Sequence, residues 1–271
     1  MNSFTINALE KIIDKARVMK SKARSNQLSS MLNLSEIEPF IQPIFSCDRS
    51  VPAGCEILLR IKRNGQYLSP SAFIHDIEAG GMIDDITCDL IRETGIFFER
   101  YHDHLPEGFY FSFNIFPPQL KSQRVINDAL RFQKQIRGKS RLVLEIVERG
   151  TEHIDDSVDI IDNLKARGVQ FALDDFGAGA ATLKYIEHVG FSIVKIDRHL
   201  TLANNGKLIY ENIIDAVVQL SHRMGMTVTA EGVENKEQLS LLSHAGVNYL
   251  QGYFLAKPMQ MNEFADKFLM N

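Results

Sequence analysis

Eight short apolar runs, spaced so that a helical pattern fits between most of them, dominate the chain after residue 34 and constrain it to an α/β architecture. Phe40–Phe45 and Gly54–Arg60 are the two less regular runs. Phe109–Asn114, Arg141–Val147, Gln170–Asp174, Ser192–Ile196, Met226–Ala230 and Val247–Leu250 are the clearer ones. Helical periodicity covers Met82–Arg100, Pro118–Arg137, Asp155–Arg167, Ala181–His188, Ile209–Met224, Lys236–His244 and Asn262–Met270. Gly138, Gly168, Gly190, Gly225 and Gly246 follow five of these segments as C-caps. The pattern predicts a TIM-like (β/α)8 barrel. The alternative, an open doubly wound sheet, lacks a GxGxxG turn after an early strand.

A closed barrel brings its strand ends to one mouth, where residues distant in sequence converge. Those ends carry Glu56, Asn114, Glu145, Asp174 with Asp175, Lys195 with Asp197, Glu231 and Gln251. One such carboxylate is explained by a helix N-cap; the whole set strains that explanation. Converging acids repel and raise one another's pKa, so cations are expected among them. Oxygen ligands without a His–Cys cluster favour magnesium or manganese over zinc. The adjacent Asp174 and Asp175 suit a bridge between two metals that activate water for in-line displacement at phosphorus. Phosphodiester hydrolysis is the predicted reaction class. In VKID, period-two alternation puts Lys195 and Asp197 on one face. Lys195 either balances charge or orients the attacking water and stabilises the phosphate. Arg60, two alternations beyond Glu56, is a candidate phosphate clamp. An enolate-stabilising barrel would also use carboxylates, magnesium and a lysine.

A formal net charge of -4 argues against a general nucleic-acid or anionic-membrane binder. The odd set Cys47, Cys55 and Cys88 has no zinc-like spacing and suggests a reducing compartment. The N-terminus lacks a signal peptide's apolar core, and no apolar run reaches the roughly 18 residues of a membrane span. A cytoplasmic location without membrane insertion is expected. Residues 5–19 place Ile6, Leu9, Ile12, Ile13, Ala16 and Met19 on one side of an amphipathic helix, before a basic, Ser-rich connector from Lys20 to Ser30. The expected division is therefore a helical extension and connector over 1–35 and the barrel domain over 36–271. The helix packs on the barrel or on a regulatory partner, or serves as a membrane-surface or DNA-contacting arm.

These residues stand in strings that resemble the EAL family of cyclic di-GMP-specific phosphodiesterases, over about residues 36–268. The strings are QPI (Gln42–Ile44), EILLR (Glu56–Arg60), FNI around Asn114, LEIVE (Leu144–Glu148), LDDFGAG (Leu173–Gly179), KIDR (Lys195–Arg198), AEGVE (Ala230–Glu234) and QGYFLAKP (Gln251–Pro258). The resemblance implies an EAL-type barrel that hydrolyses cyclic di-GMP to linear pGpG through a two-metal activated water, ending a bacterial second-messenger signal. It implies that Glu56, Asn114, Glu145 and Asp174 surround one divalent cation, Mg2+ or Mn2+, while Asp174, Asp175 and Glu231 serve a second. Lys195 and Glu231 take the catalytic positions. Gln42, Leu59, Arg60, Asp197 and Gln251 take substrate-contacting ones, and Glu148 and Glu234 stabilise loops. A homodimer is implied as well.

The chain departs from the family pattern at three places. Ile57 replaces the alanine of the Glu-Ala-Leu signature, Val147 replaces a threonine, and the loop FGTGYSSL reads Phe176 to Leu183 as FGAGAATL. Ala178 cannot offer a hydroxyl to Glu148, so the resemblance leaves room for a catalytically weak or inactive receptor for cyclic di-GMP or a protein-binding regulator.

Overall fold

The computed structural model describes residues 36–48, 51–136, 138–147, 154, 156–177, 186 and 189–270. The expected N-terminal helix, Glu148, the loop from Ala178 and most of the expected helix Ala181–His188 lie outside the described residues. The chain forms two compact units, Met1–Glu38 with Leu59–Asp89, and Pro39–Leu58 with Leu90–Asn271. Strands β1 (Ile37–Ser46) and β2 (Pro52–Arg63) contribute residues to both.

In the smaller unit, β3 (Gln66–Leu68) pairs antiparallel with Ile61–Arg63 across Asn64 and Gly65, whose φ values are 49° and 77°. Two successive left-handed residues give the turn whose twist matches a hairpin. Tyr67 Oη donates to Glu38 Oε2 at 2.9 Å. The short helix α1 (Ile74–Ala79) buries Ile77.

The larger unit is a closed eight-stranded barrel. Its further strands are β4 (Phe109–Ile115), β5 (Ser140–Ile146), β6 (Gln170–Phe176) and β7 (Ile193–Ile196). A small hairpin, β8 (Ala203–Asn204) with β9 (Lys207–Leu208), precedes β10 (Thr227–Ala230), β11 (Tyr249–Leu250) and β12 (Met259–Gln260). Around the barrel the order is β1-β11-β10-β7-β6-β5-β4-β2, and β2 pairs again with β1. Neighbours from β2 through β4 to β11 run parallel, whereas β1 runs antiparallel to β11 and β12. Seven of the barrel strands thus share one direction and the first opposes it. Closure leaves none of these strands as a free edge.

Helices α2 (Ile83–Glu99), α3 (Gln123–Ile136), α4 (Val158–Ala166), α5 (Glu211–Arg223), α6 (Lys236–His244) and α7 (Met261–Phe268) follow. In α3, Val125, Ala129, Phe132 and Ile136 form the buried stripe that helical spacing demands. The expected segment Pro118–Arg137 divides into a 3-10 turn, Pro117–Lys121, and α3; two prolines lacking N–H donors favour the turn first. Asn235 caps α6 by accepting a hydrogen bond from Gln238 N. Phe98, Phe111, Phe113 and Phe132 pack edge to face at 4.7–5.5 Å, a preferred aromatic geometry outside the barrel wall. No helix among the described residues is long and apolar enough to cross a membrane.

Candidate active site

Inside the barrel, Ile44, Tyr110, Val143, Ala172 and Ile193 form one apolar layer against which Tyr249 packs. Because side chains alternate, the residue two positions further along a parallel strand faces inward nearer the mouth. Val143 is so followed by Glu145, Ala172 by Asp174, Ile193 by Lys195 and Tyr249 by Gln251; Asn114 lies two alternations beyond Tyr110. On the reversed strand β1 the mouth residue precedes its apolar partner, so Gln42 comes before Ile44. An inspection of strand C-terminal ends cannot find Gln42, since the direction of β1 is a property of the fold.

Lys195 is the centre of the site. Its Nζ lies 2.7 Å from Glu145, 2.7 Å from Glu231, 3.1 Å from Asp174 and 3.4 Å from Glu56 carboxylate oxygens. Burial opposes the ammonium charge, but Asp174, Glu145, Glu231 and Glu56 outweigh it and hold the lysine well above its ordinary range. Burial is also the largest force on the acids. At Glu56 it is outweighed by the Lys195 charge and by donation from Gln251 Nε2 at 2.9 Å and Asn114 Nδ2 at 2.8 Å, so the carboxyl is held low. At Glu145 burial prevails over Lys195, with Glu56 and Asp174 adding to it, and the carboxyl is raised well above the usual range. Burial likewise pushes Glu231 up to about 8. One ammonium does not neutralise four carboxylates, and a further cation is the physical remedy.

Neighbouring strand residues ordinarily face opposite ways. The register of β6 shifts between Leu173 and Phe176, and Asp175 takes φ 55°, so Asp174 and Asp175 reach the same site. Such a backbone costs on the order of 1 kcal/mol and persists only where its surroundings impose it. Asp174, Asp175 and Glu231 each offer an oxygen within 4.8 Å of the others. Burial, aided by the Asp174 charge, raises Asp175 to about 6. Gln251 Oε1 is a buried acceptor without a hydrogen-bond partner among the described residues, and the buried Asp174 Oδ1 has only the Lys195 ammonium, 3.1 Å away, beside it there. An orphaned oxygen beside clustered carboxylates fits a hard divalent cation.

Asp197, just beyond β7, accepts from the His199 backbone N–H at 2.9 Å and lies 2.6 Å from His199 Nδ1. Gln42, Arg198, Glu234 and Tyr253 line a cleft shared with Glu56, Glu231 and Gln251. Arg198, His199 and Tyr253 were not anticipated. Their signals were position within KIDR and QGY, and the two-residue spacing of Asp197 to His199 that suits a local Asx turn. Gln42 Nε2 donates to the Ala256 carbonyl at 3.4 Å. In the smaller unit Leu59 is buried and Arg60 Nη1 donates to the Leu59 carbonyl at 2.8 Å.

A sequence model of the EAL domain matches residues 25–258. The chain is 33% identical over 243 residues to the probable cyclic di-GMP phosphodiesterase PdeG of Escherichia coli K12, covering 89% of this chain and 48% of that protein. It therefore spans about half the length of PdeG. It is 31% identical over 246 residues to the cyclic di-GMP phosphodiesterase PdeL of the same strain, covering 90% of this chain and 68% of PdeL. The fold is similar to the EAL enzyme Bd1971 in its cAMP- and cyclic-di-GMP-bound form, with a TM-score of 0.81 at 24% identity over 98% of this chain and 75% of that one.

Proposed function

The chain belongs to the EAL domain family, and from that membership we propose that it hydrolyses cyclic di-GMP to linear pGpG. The observation that carries this reading is the convergence of Glu56, Glu145, Asp174 and Glu231 on the Lys195 ammonium, beside the oxygen cluster of Asp174, Asp175 and Glu231. Glu56, Asn114, Glu145 and Asp174 would hold one divalent cation, Mg2+ or Mn2+; Asp174, Asp175 and Glu231 would hold the second. Bound there, such cations supply a water activated near neutral pH and neutralise charge at the phosphate.

The chain's own groups orient and bind. Lys195 keeps its proton and stabilises negative charge developing on the phosphodiester. Asn114 and Gln251 fix the Glu56 carboxylate by hydrogen bonding to different oxygens. In the larger unit Gln42, Asp197 and Gln251 are the proposed substrate contacts, and Glu148 and Glu234 the loop-stabilising acids; in the smaller unit the family resemblance alone assigns a substrate-contacting role to Leu59 and Arg60. A homodimer in the cytoplasm, with the N-terminal segment open to a regulatory partner, completes the proposal.

The test is incubation with cyclic di-GMP and Mg2+ or Mn2+, with pGpG followed by chromatography. Wild-type product that is lost in both Glu56→Ala and Lys195→Ala supports the enzyme. Binding of cyclic di-GMP without product under either metal would favour the receptor reading, which draws on the FGAGAATL sequence.

A further inference from the structure

Two loops bring acids to the mouth, one after β7 with Asp197 and one after β10 with Glu231 and Glu234. The ladders end there with one backbone bond each, from Asp197 N to the Phe176 carbonyl at 3.3 Å and from Glu231 N to the Ile196 carbonyl at 3.1 Å. Beyond those bonds the two loops are joined by a short series of hydrogen bonds through Thr201 and Gln238, side chains that touch none of the reacting groups. Thr201 Oγ1 donates toward the Glu231 carbonyl at 2.7 Å and stands 3.0 Å from the Arg198 carbonyl, so one hydroxyl spans both loops. The Thr201 carbonyl accepts from Gln238 Nε2 at 3.2 Å, and Gln238 Oε1 accepts from the Glu234 backbone N–H at 2.8 Å. Gln238 N donates to Asn235 Oδ1 at 2.9 Å, which ties the series to the first turn of α6. The Glu231 N–H donates to the Ile196 carbonyl at 3.1 Å, so both polar groups of the Glu231 peptide are anchored to the β7 side.

We infer that Thr201 and Gln238 are positioning residues that set Glu231 and Glu234 against Lys195 and Asp197; the inference rests on the phosphodiesterase reading and deepens it. Burial gives these bonds their weight. Thr201 is 0% exposed and Gln238 3%, so water cannot replace a lost partner and the released carbonyl or N–H must move to find one. Close packing transmits that movement: a Cβ at Gly232, whose φ is +67°, would overlap the Arg198 side chain. Glu231 Oε1 stands 2.7 Å from Lys195 Nζ and shares the oxygen cluster of Asp174 and Asp175, where a displacement of about 1 Å is enough to lower rate strongly.

Thr201→Val keeps the volume and removes the hydroxyl, Thr201→Ser restores it, and Gln238→Leu removes the amide. In the full chain, Mn2+ affinity by titration calorimetry is expected to weaken about 10- to 100-fold in the valine and leucine variants and to return toward wild type in the serine variant. The same two variants lose kcat while KM for cyclic di-GMP changes less than about threefold, the signature of a lost transition-state arrangement. Amide exchange at Glu234 in metal-free protein accelerates in both. Folded variants with wild-type Mn2+ affinity, kcat and exchange overturn the inference. If Gln238→Leu does not fold, the valine and serine pair at Thr201 decides alone. A wild type that neither cleaves nor binds Mn2+ defeats the phosphodiesterase reading instead, and the exchange arm still judges the coupling: faster exchange supports it, unchanged exchange overturns it.

Discussion

Lys195 is the only cation placed by contact distance among Glu56, Glu145, Asp174 and Glu231 in the described residues. Removing one partner of a buried charge group leaves the others uncompensated, at a cost of about 3–5 kcal/mol. Lys195→Met is therefore expected to abolish pGpG formation and to lower metal-free stability by about that amount in urea melts. Added Mn2+ should restore part of the stability without restoring cleavage. Glu231 and Asp175 give a second residue-scale expectation. Burial raises them to about 8 and about 6, so the folded chain holds protons there that the unfolded chain has released. A carboxyl raised in the folded state loses stability as pH rises from its unfolded value, near 4, through its folded one. The metal-free protein is expected to melt progressively lower between about pH 4 and pH 8. Saturating Mn2+ should flatten that slope, because the cation takes over the role of the protons. A metal-free Tm that climbs across this interval would contradict the burial argument.

At the scale of elements, local chemistry was legible where it is written in adjacent residues and obscure where it depends on neighbours. The five helix-ending glycines, including Gly138 at φ 107° and Gly168 at φ 90°, adopt the left-handed conformation expected of C-caps. Two hairpins escaped the pattern reading although both carry Asn-Gly: Asn64-Gly65 and Asn205-Gly206, with all four residues at positive φ. Their flanking strands are only two or three paired residues long, too short for alternation to register, so the turn dipeptide was the usable signal. The break in β6 was not legible. Alternation says that Asp174 and Asp175 diverge, and only the register shift against β7 turns both inward. The QGY and EGVE loops meet as closely: Val233 N donates to the Gln251 carbonyl at 3.1 Å, and a Cβ at Gly252 would overlap the Val233 backbone. Because backbone cannot swing aside as a side chain does, Gly252→Ala is expected to cost about 1–3 kcal/mol and to cut cleavage at least about 10-fold. Urea melts and pGpG rates measure the two effects separately, and a variant normal in both would show that the loops yield.

For the larger unit as a whole, α7 closes the chain against the aromatic cluster. Phe264 is 0% exposed and its ring lies 5.3 Å from Phe268, 6.0 Å from Phe98 and 6.2 Å from Phe109. Phe264→Ala is expected to lower stability by about 3–5 kcal/mol while cleavage at low temperature survives, since the cavity lies away from the mouth. A loss of cleavage out of proportion to the unfolded fraction would show that the last helix supports the site directly. The sequence by itself determined the α/β class, the eight barrel strands and most helices, because apolar periodicity and helix-ending glycines are local consequences of backbone geometry. It also determined which acids and which lysine gather, since a closed barrel must bring its strand ends together. The opposed direction of β1, the left-handed turn at Asp175 and the Thr201–Gln238 hydrogen bonds belong to the tertiary structure alone. Each depends on partners distant in the chain, 214 residues from Gln42 to Ala256 and 30 from Thr201 to Glu231, and no local pattern encodes which distant group will fill a bond.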